Sequence, residues 1–421
     1  MTHSSTPRKK PTRRRDQGGT ATAAPIIAVV AGLAILAVAF LVFGSGILGS
    51  TQPGGSAPTQ SAGEQDDVPS PAAALQDARV SFVAVGDNLP ETYIGAYADA
   101  CAGEAGDGLY DYRQIYAAVK PYIESADLAY VKQETHLGGD EIGPRGWPSF
   151  NTTDAMADAI VDAGFDLVAS ASNHAYDWGY FGAVEHSRSV WNQKPVAFTG
   201  TAANEEEAQA IPVVERNGIS FALLDYTYGV NGYAQGDLPA YAVNFIDEER
   251  IAADVARAHE MADVVLVAMH WGTENLTEAD AEQQRLAQFL ADLEVDVVLG
   301  SHPHVIGPLA WVQGASGHRT LVAYSLGNFI SRHEAPALEN ELEGMLSCDF
   351  VREDGEISIQ NVVWTPLVNH TEEGAFSVYA LKDYTPELAA RHTLLSQLDD
   401  PIGQLGALTR QVIGEEFPID A

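Results

Sequence analysis

Apolar and polar residues alternate in blocks along this chain, and the blocks change period. Val80–Val85, Leu128–Val131, Leu167–Ala171, Val264–Met269 and Val297–Leu299 are short apolar runs of strand length. Between them the period lengthens. Tyr112–Ser125 sets Ile115, Val119, Tyr122 and Ile123 at helical spacing. Thr153–Ala163 reads as a second helix, capped by Thr152 or Thr153 and stopped by Gly164. Gly182–Trp191, Asp247–Met261 and Glu278–Leu293 read as further helices, the last two each leading into an apolar strand. Val213–Glu215 and Ile219–Leu224 flank Asn217-Gly218, the signature of a hairpin with a type I′ turn. Trp311–Val312 with Leu321–Tyr324, and Met345–Val351 with Ile357–Val363, read as antiparallel pairs. Strand–helix alternation followed by hairpins predicts an α/β fold, with mixed sheets in layers flanked by helices. A closed eight-fold barrel is the alternative, and the chain falls short of eight good βα units.

The ends of the chain read differently. Residues 1–22 are basic, and residues 23–48 form a nearly unbroken apolar stretch without charge, long enough for a transmembrane helix. The basic cluster before it predicts a cytoplasmic N-terminus and an extracytoplasmic main domain. A cleaved signal peptide is the rival reading, with Gly44-Ser45-Gly46 near its end. Residues 49–77 are rich in Gly, Ser and Pro and read as a linker. A main domain over 78–370 and a C-terminal helical extension over 371–421 complete the organisation.

Charge sharpens the picture. The net charge is −35, yet the first fifteen residues hold six basic groups and no acid. Beyond Ser50, 17 Lys and Arg face 57 Asp and Glu, because only Asp16 is acidic before that point. So acidic a body excludes a nucleic-acid partner, which needs a basic footprint. Cys101 and Cys348 carry no CxxC spacing, and the sequence leaves open whether they pair.

The five apolar runs share one property: each stops at a residue able to hold a metal. The stops are Asp87, Glu134, Asn173-His174, His270 and His302-Pro303-His304. The carboxyl ends of parallel strands share one edge, so these residues are expected on one edge of one sheet. Asp, Glu, Asn and His are the types a hydrolytic divalent-metal centre uses. Asp177, three residues past His174, is placed to orient its imidazole as a catalytic pair. Arg145, in a loop of turn residues, is a candidate for a substrate carboxylate or phosphate. Asn328 is a candidate at the site edge, and Glu274 a candidate outer partner of His270.

These motifs also carry a resemblance. The order Gly-Asp, Gln-Glu-Thr, Ser-Asn-His-x-x-Asp-x-Gly, His-Trp-Gly-x-Glu, Gly-Ser-His-Pro-His, Ser-Leu-Gly-Asn-Phe over Val80 to Val363 resembles the CapA family of capsule and poly-γ-glutamate synthesis proteins. That family is similar in fold to the calcineurin-like metallophosphoesterases. The resemblance implies that Asp87, Glu134, Asn173, His270, His302 and His304 hold one or two divalent ions (Mn, Fe, Zn or Mg). It implies His174 as the general acid or oxyanion stabiliser. It also implies a membrane-anchored hydrolase acting on an anionic extracellular polymer such as poly-γ-glutamate, near a membrane polymer synthase. A cell-envelope phosphoesterase and a non-catalytic assembly partner are the alternatives. Two positions depart from the pattern. Leu89 stands where the superfamily has a histidine ligand, and Lys132-Gln133-Glu134 stands where family members commonly read Asn-Leu-Glu.

Overall fold

The computed structural model describes residues 76–333 and 337–421. The basic N-terminus, the expected transmembrane segment at 23–48 and nearly all of the linker lie outside these residues. Among the described residues no helix is long and apolar enough to cross a membrane.

The chain builds one sheet, then a second, then returns to the first. It opens with β1 (Ala78–Asn88), β2 (Leu128–Gln133), β3 (Leu167–Ala169) and β4 (Ala197–Thr199), paired parallel in that order. The next six strands form the second sheet: β5 (Val213–Arg216), β6 (Ile219–Thr227), β7 (Val264–His270), β8 (Val297–Ser301), β9 (Leu309–Gln313) and β10 (Arg319–Ala323). Their spatial order is β5-β6-β7-β8-β10-β9. The short β11 (Asn328–Ile330) then pairs parallel with β1. Finally β12 (Leu342–Glu353), β13 (Glu356–Glu372) and β14 (Ala375–Ala380) extend the first sheet antiparallel on the other side of β1. Pairing therefore runs on through residue 370.

Period-two alternation explains the layering. On β1, Val80, Phe82 and Ala84 face a core shared with Phe221, Leu266 and Leu299 of the second sheet. Val83 and Val85 point the other way, onto Ile115 and Ile160 of the covering helices. On the far side, Val265 and Val267 pack on Ile251, Val255 and Leu286 from helices Glu248–Met261 and Ala281–Asp292. The result is the expected layered α/β/β/α arrangement.

Several local readings hold and two change. Asn217 and Gly218 both have positive φ, 49° and 82°, as a type I′ turn requires. Gly164 ends its helix in the left-handed region. The single helix expected over Tyr112–Ser125 is two short ones, Arg113–Tyr116 and Lys120–Glu124, with Pro121 starting the second. The five strand ends also do not belong to one sheet. Those of β1, β2 and β3 come from the first sheet, those of β7 and β8 from the second. Apolar periodicity marks a strand but not its neighbours, and the β5–β6 hairpin seeds a separate sheet that β7 and β8 join. Cys101 and Cys348 are both free thiols.

Candidate metal centre

The two sheets meet at the predicted residues. The His302 backbone N–H donates to Asp87 Oδ2 at 2.8 Å, joining β8's exit to β1 across 215 positions of sequence. Backbone geometry makes the approach feasible. A Cβ on Gly86 would stand 1.9 Å from the Gly327 carbonyl oxygen, so only glycine lets β1 pass there. His302 and His304 both hold positive φ, 97° and 59°, an uncommon state for non-glycine residues. Pro303 between them fixes the loop that turns both imidazoles inward.

Asp87, Glu134 and His304 each place a ligand atom within 4.8 Å of the others, and Glu274, His302 and His304 form a second such group. His270 is fully buried beside them. Its Nε2 lies 2.8 Å from Asn173 Oδ1 and 3.7 Å from Glu134 Oε1, and its Nδ1 lies 2.9 Å from Ser301 Oγ. All six predicted ligands thus meet at one place. Glu274 joins them from the exposed side.

The electrostatics ask for a cation. Asp87 Oδ1, both Glu134 oxygens and His302 Nδ1 are buried without a hydrogen-bond partner. Burial, then the charge of Glu134, pushes the Asp87 carboxyl up to about 8. Burial pushes Glu134 up to about 7. Burial, with His304 and His174 nearby, pushes His302 down to about 3, and burial carries His270 well below its ordinary value. Facing carboxylates beside neutral imidazoles are the protonation states that a divalent ion selects. The donor set, oxygen and imidazole nitrogen without sulfur, fits Mg, Mn, Fe or Zn. Leu89 is buried, lines the cleft and offers no ligand atom.

The cleft over this centre has a volume of about 310 Å³. His174 lines it. Its Nδ1 is 2.7 Å from Asp177 Oδ2, which also accepts the Phe150 N–H at 2.7 Å. Asp177 thereby fixes the ring and leaves Nε2 for the cleft. Burial alone would lower the His174 pKa, but the Asp177 hydrogen bond and the Glu134 charge outweigh it and raise it.

Two predicted substrate residues sit elsewhere. Arg145 is exposed and does not line the cleft. Asn328 is buried, and its Oδ1 lies 2.9 Å from His304 Nδ1, so it orients a ligand rather than facing the cleft. Sequence reasoning also missed two features. Arg332 and His333, just past β11, line the cleft mouth with Trp147. Beneath the centre, the fully buried Lys132 Nζ is 2.5 Å from both Asp225 Oδ1 and the Ala171 carbonyl oxygen. Asp225 Oδ2 accepts the Ala171 N–H at 2.6 Å. This pair grips both backbone groups of Ala171, two residues before Asn173. A signal for it was present, since Ile219–Leu224 also stops at an acid, Asp225.

Comparison with known proteins agrees with the motif order. Residues 81–333 match the family described as bacterial capsule synthesis protein PGA_cap. The PGA biosynthesis protein CapA of Bacillus subtilis (strain 168) is 29% identical over 178 residues, 41% of this chain and 44% of that protein. The capsule biosynthesis protein CapA of Bacillus anthracis is 26% identical over 179 residues, 41% of each. Each match thus spans less than half of the curated relative. Among solved structures, a 5'-nucleotidase precursor from Thermus thermophilus aligns at TM-score 0.42 and 15% identity, covering 79% of this chain and 58% of that one. The calcineurin-like phosphoesterase YfkN from Bacillus subtilis aligns at 0.40 and 12%, covering 80% and 99%. The family match takes in more than half of the chain and contains every strand-end ligand, and the chain belongs to the bacterial capsule synthesis protein PGA_cap family.

Proposed function

We propose that this chain is a metal-dependent hydrolase of an anionic capsule-type polymer, poly-γ-glutamate, held at the outer face of the membrane by residues 23–48. The observation that carries the reading is the convergence of Asp87, Glu134 and His304 around unpartnered carboxylate oxygens, beside the His174–Asp177 pair.

Asp87, Glu134, Asn173, His270, His302 and His304 would hold the ion. Bound there, a divalent ion supplies an activated water and polarises the carbonyl or phosphoryl oxygen under attack. The chain's own residues do the rest. Asp177 holds His174 at Nδ1 and helps raise its pKa, so the protonated ring presents Nε2–H to the leaving nitrogen or oxygen. Asn328 fixes the His304 ring, and Ser301 fixes His270. Trp147 and Phe150 form apolar cleft wall.

The test combines metal content with turnover. Purified protein should retain Mn, Fe, Zn or Mg by elemental analysis and shorten γ-linked glutamate oligomers. His174→Ala should abolish turnover and keep the metal. Cleavage of chromogenic phosphate esters alone would make it a cell-envelope phosphoesterase. Restored polymer production by an Asp87→Ala/His304→Ala variant in a strain lacking the protein would make it a non-catalytic partner of the synthase.

A further inference from the structure

The body of this chain is strongly acidic, so its positive side chains are mostly spent on its own acids. Arg79 pairs with Asp349, Arg216 with Asp166, Arg352 with Asp263 and Lys132 with Asp225. Four described arginines form no ion pair with a described residue. Arg145, Arg319 and Arg410 are exposed, while Arg332 is half-buried and lines the metal cleft.

Arg332 is also held in place. Its guanidinium stacks on the Tyr93 ring, 4.4 Å from the centroid. The Tyr93 hydroxyl donates to the Glu372 carbonyl oxygen and accepts from Gly374 N–H, which fixes the ring. Stacking engages the guanidinium face and leaves its N–H edge available to an anion. A second cavity of about 180 Å³ is lined by the same Arg332 and His333, together with Glu341, Thr371, Thr393 and Gln397. Arg332 therefore borders both the metal cleft and a polar cavity floored by β13 and the segment after it.

We propose that Arg332 is the anion clamp of this cleft, receiving a carboxylate of the polymer unit next to the one at the metal centre, while the second cavity takes the chain's continuation. This rests on the reading of the ligand as an anionic polymer and specifies how it is recognised. Among the described residues that line the cleft, Arg332 is the one arginine or lysine, and with the bound cation it supplies the attraction for an anion there. Thr371, Thr393 and Gln397 offer hydroxyls and an amide to the peptide-like links of such a chain, beside the single acid Glu341.

The experiment is equilibrium binding to metal-loaded full-length protein in detergent. The probes are tri-γ-glutamate, the same trimer with its carboxylates amidated, and a glycerol-phosphate trimer. Arg332→Gln should weaken the carboxylate trimer by about 10- to 100-fold, the worth of a charge-assisted hydrogen bond, and leave the amidated trimer unchanged. Arg332→Lys should recover part of the loss, and Arg145→Gln should lose nothing. Metal content must stay constant throughout. If the wild type binds only the phosphate trimer, the carboxylate clamp and the poly-γ-glutamate reading fall together. Equal binding of the carboxylate trimer by wild type and Arg332→Gln overturns the clamp and leaves that reading intact. A wild type that binds neither anion also overturns the clamp.

Discussion

Two groups of histidines and acids are buried in this chain, and they use their lone pairs in opposite ways. At the strand ends, Asp87 Oδ1, both Glu134 oxygens and His302 Nδ1 are buried without a hydrogen-bond partner, and Asp87 and Glu134 converge with His304. Behind β13, His392 is just as buried. Yet its Nδ1 accepts from Leu394 and Leu395 N–H, and its Nε2 lies 2.9 Å from the Asn369 carbonyl oxygen. His370 Nδ1 meets the Tyr384 hydroxyl at 2.6 Å. Glu343 Oε2 and His370 Nε2 also lack partners there, but both groups among the described residues that could hold a metal include His304, past the end of β8. Histidine-rich composition therefore does not make a ligand site. Convergence of unpartnered acceptors marks a candidate one, because a single added cation can satisfy them together.

The contrast can be broken by substitution, and the largest effect lies beneath the metal centre. Lys132→Met strands a buried Asp225 carboxylate and should cost about 3–5 kcal/mol in urea unfolding. Lys132→Met/Asp225→Leu should recover most of that stability, yet bind Mn about tenfold more weakly because Ala171 is no longer gripped. If the double variant matches the wild type in Mn affinity, the pair is structural only.

Next comes the centre itself. With Mn at about 100 times its dissociation constant, the wild type should gain about 2.7 kcal/mol over chelated protein. His304→Ala should gain nothing measurable, its affinity falling by more than the roughly 10–100-fold typical of an outer partner. The C-terminal cluster should show the reverse. His392→Ala leaves the buried Leu395 N–H and the part-buried Leu394 N–H unpaired and should lose about 2 kcal/mol, with Mn titration unchanged.

The smallest effect is a pH slope. Burial, then the charge of His392, holds His370 down to about 4. The unfolded chain takes up this proton first, near the ordinary value of about 6.5. Stability from His370 is therefore full above about 6.5 and is lost as pH falls toward about 4. His370→Gln should flatten the fall in urea midpoint between pH 7 and pH 5.

The site was legible where chemistry coincides with a strand end. Asp87, Glu134, Asn173, His270, His302 and His304 all follow apolar runs, and all reach one place. What periodicity cannot carry is pairing partner, so the split of their strands between two sheets was hidden. Long side chains were hidden for another reason. Arg145 sits among turn residues and faces solvent, whereas Arg332 is placed by a ring from the distant Thr92–Ala102 helix. Asn328 looked like a site-edge residue because it follows a glycine turn, and pairing with His304 gives it the work of holding a ligand. Lys132 departs from the family reading, and its reason appears only when β6 brings Asp225 beneath it.

The hydrogen bond from His302 to Asp87 also bears on biosynthesis. Asp87 is the penultimate residue of β1 in the first sheet, and His302 follows β8 of the second and leaves the ribosome more than two hundred residues later. The nascent chain has no complete chelating set until residue 304 has emerged and the second sheet has docked. Any metal capture at this centre would therefore wait for the two sheets to dock.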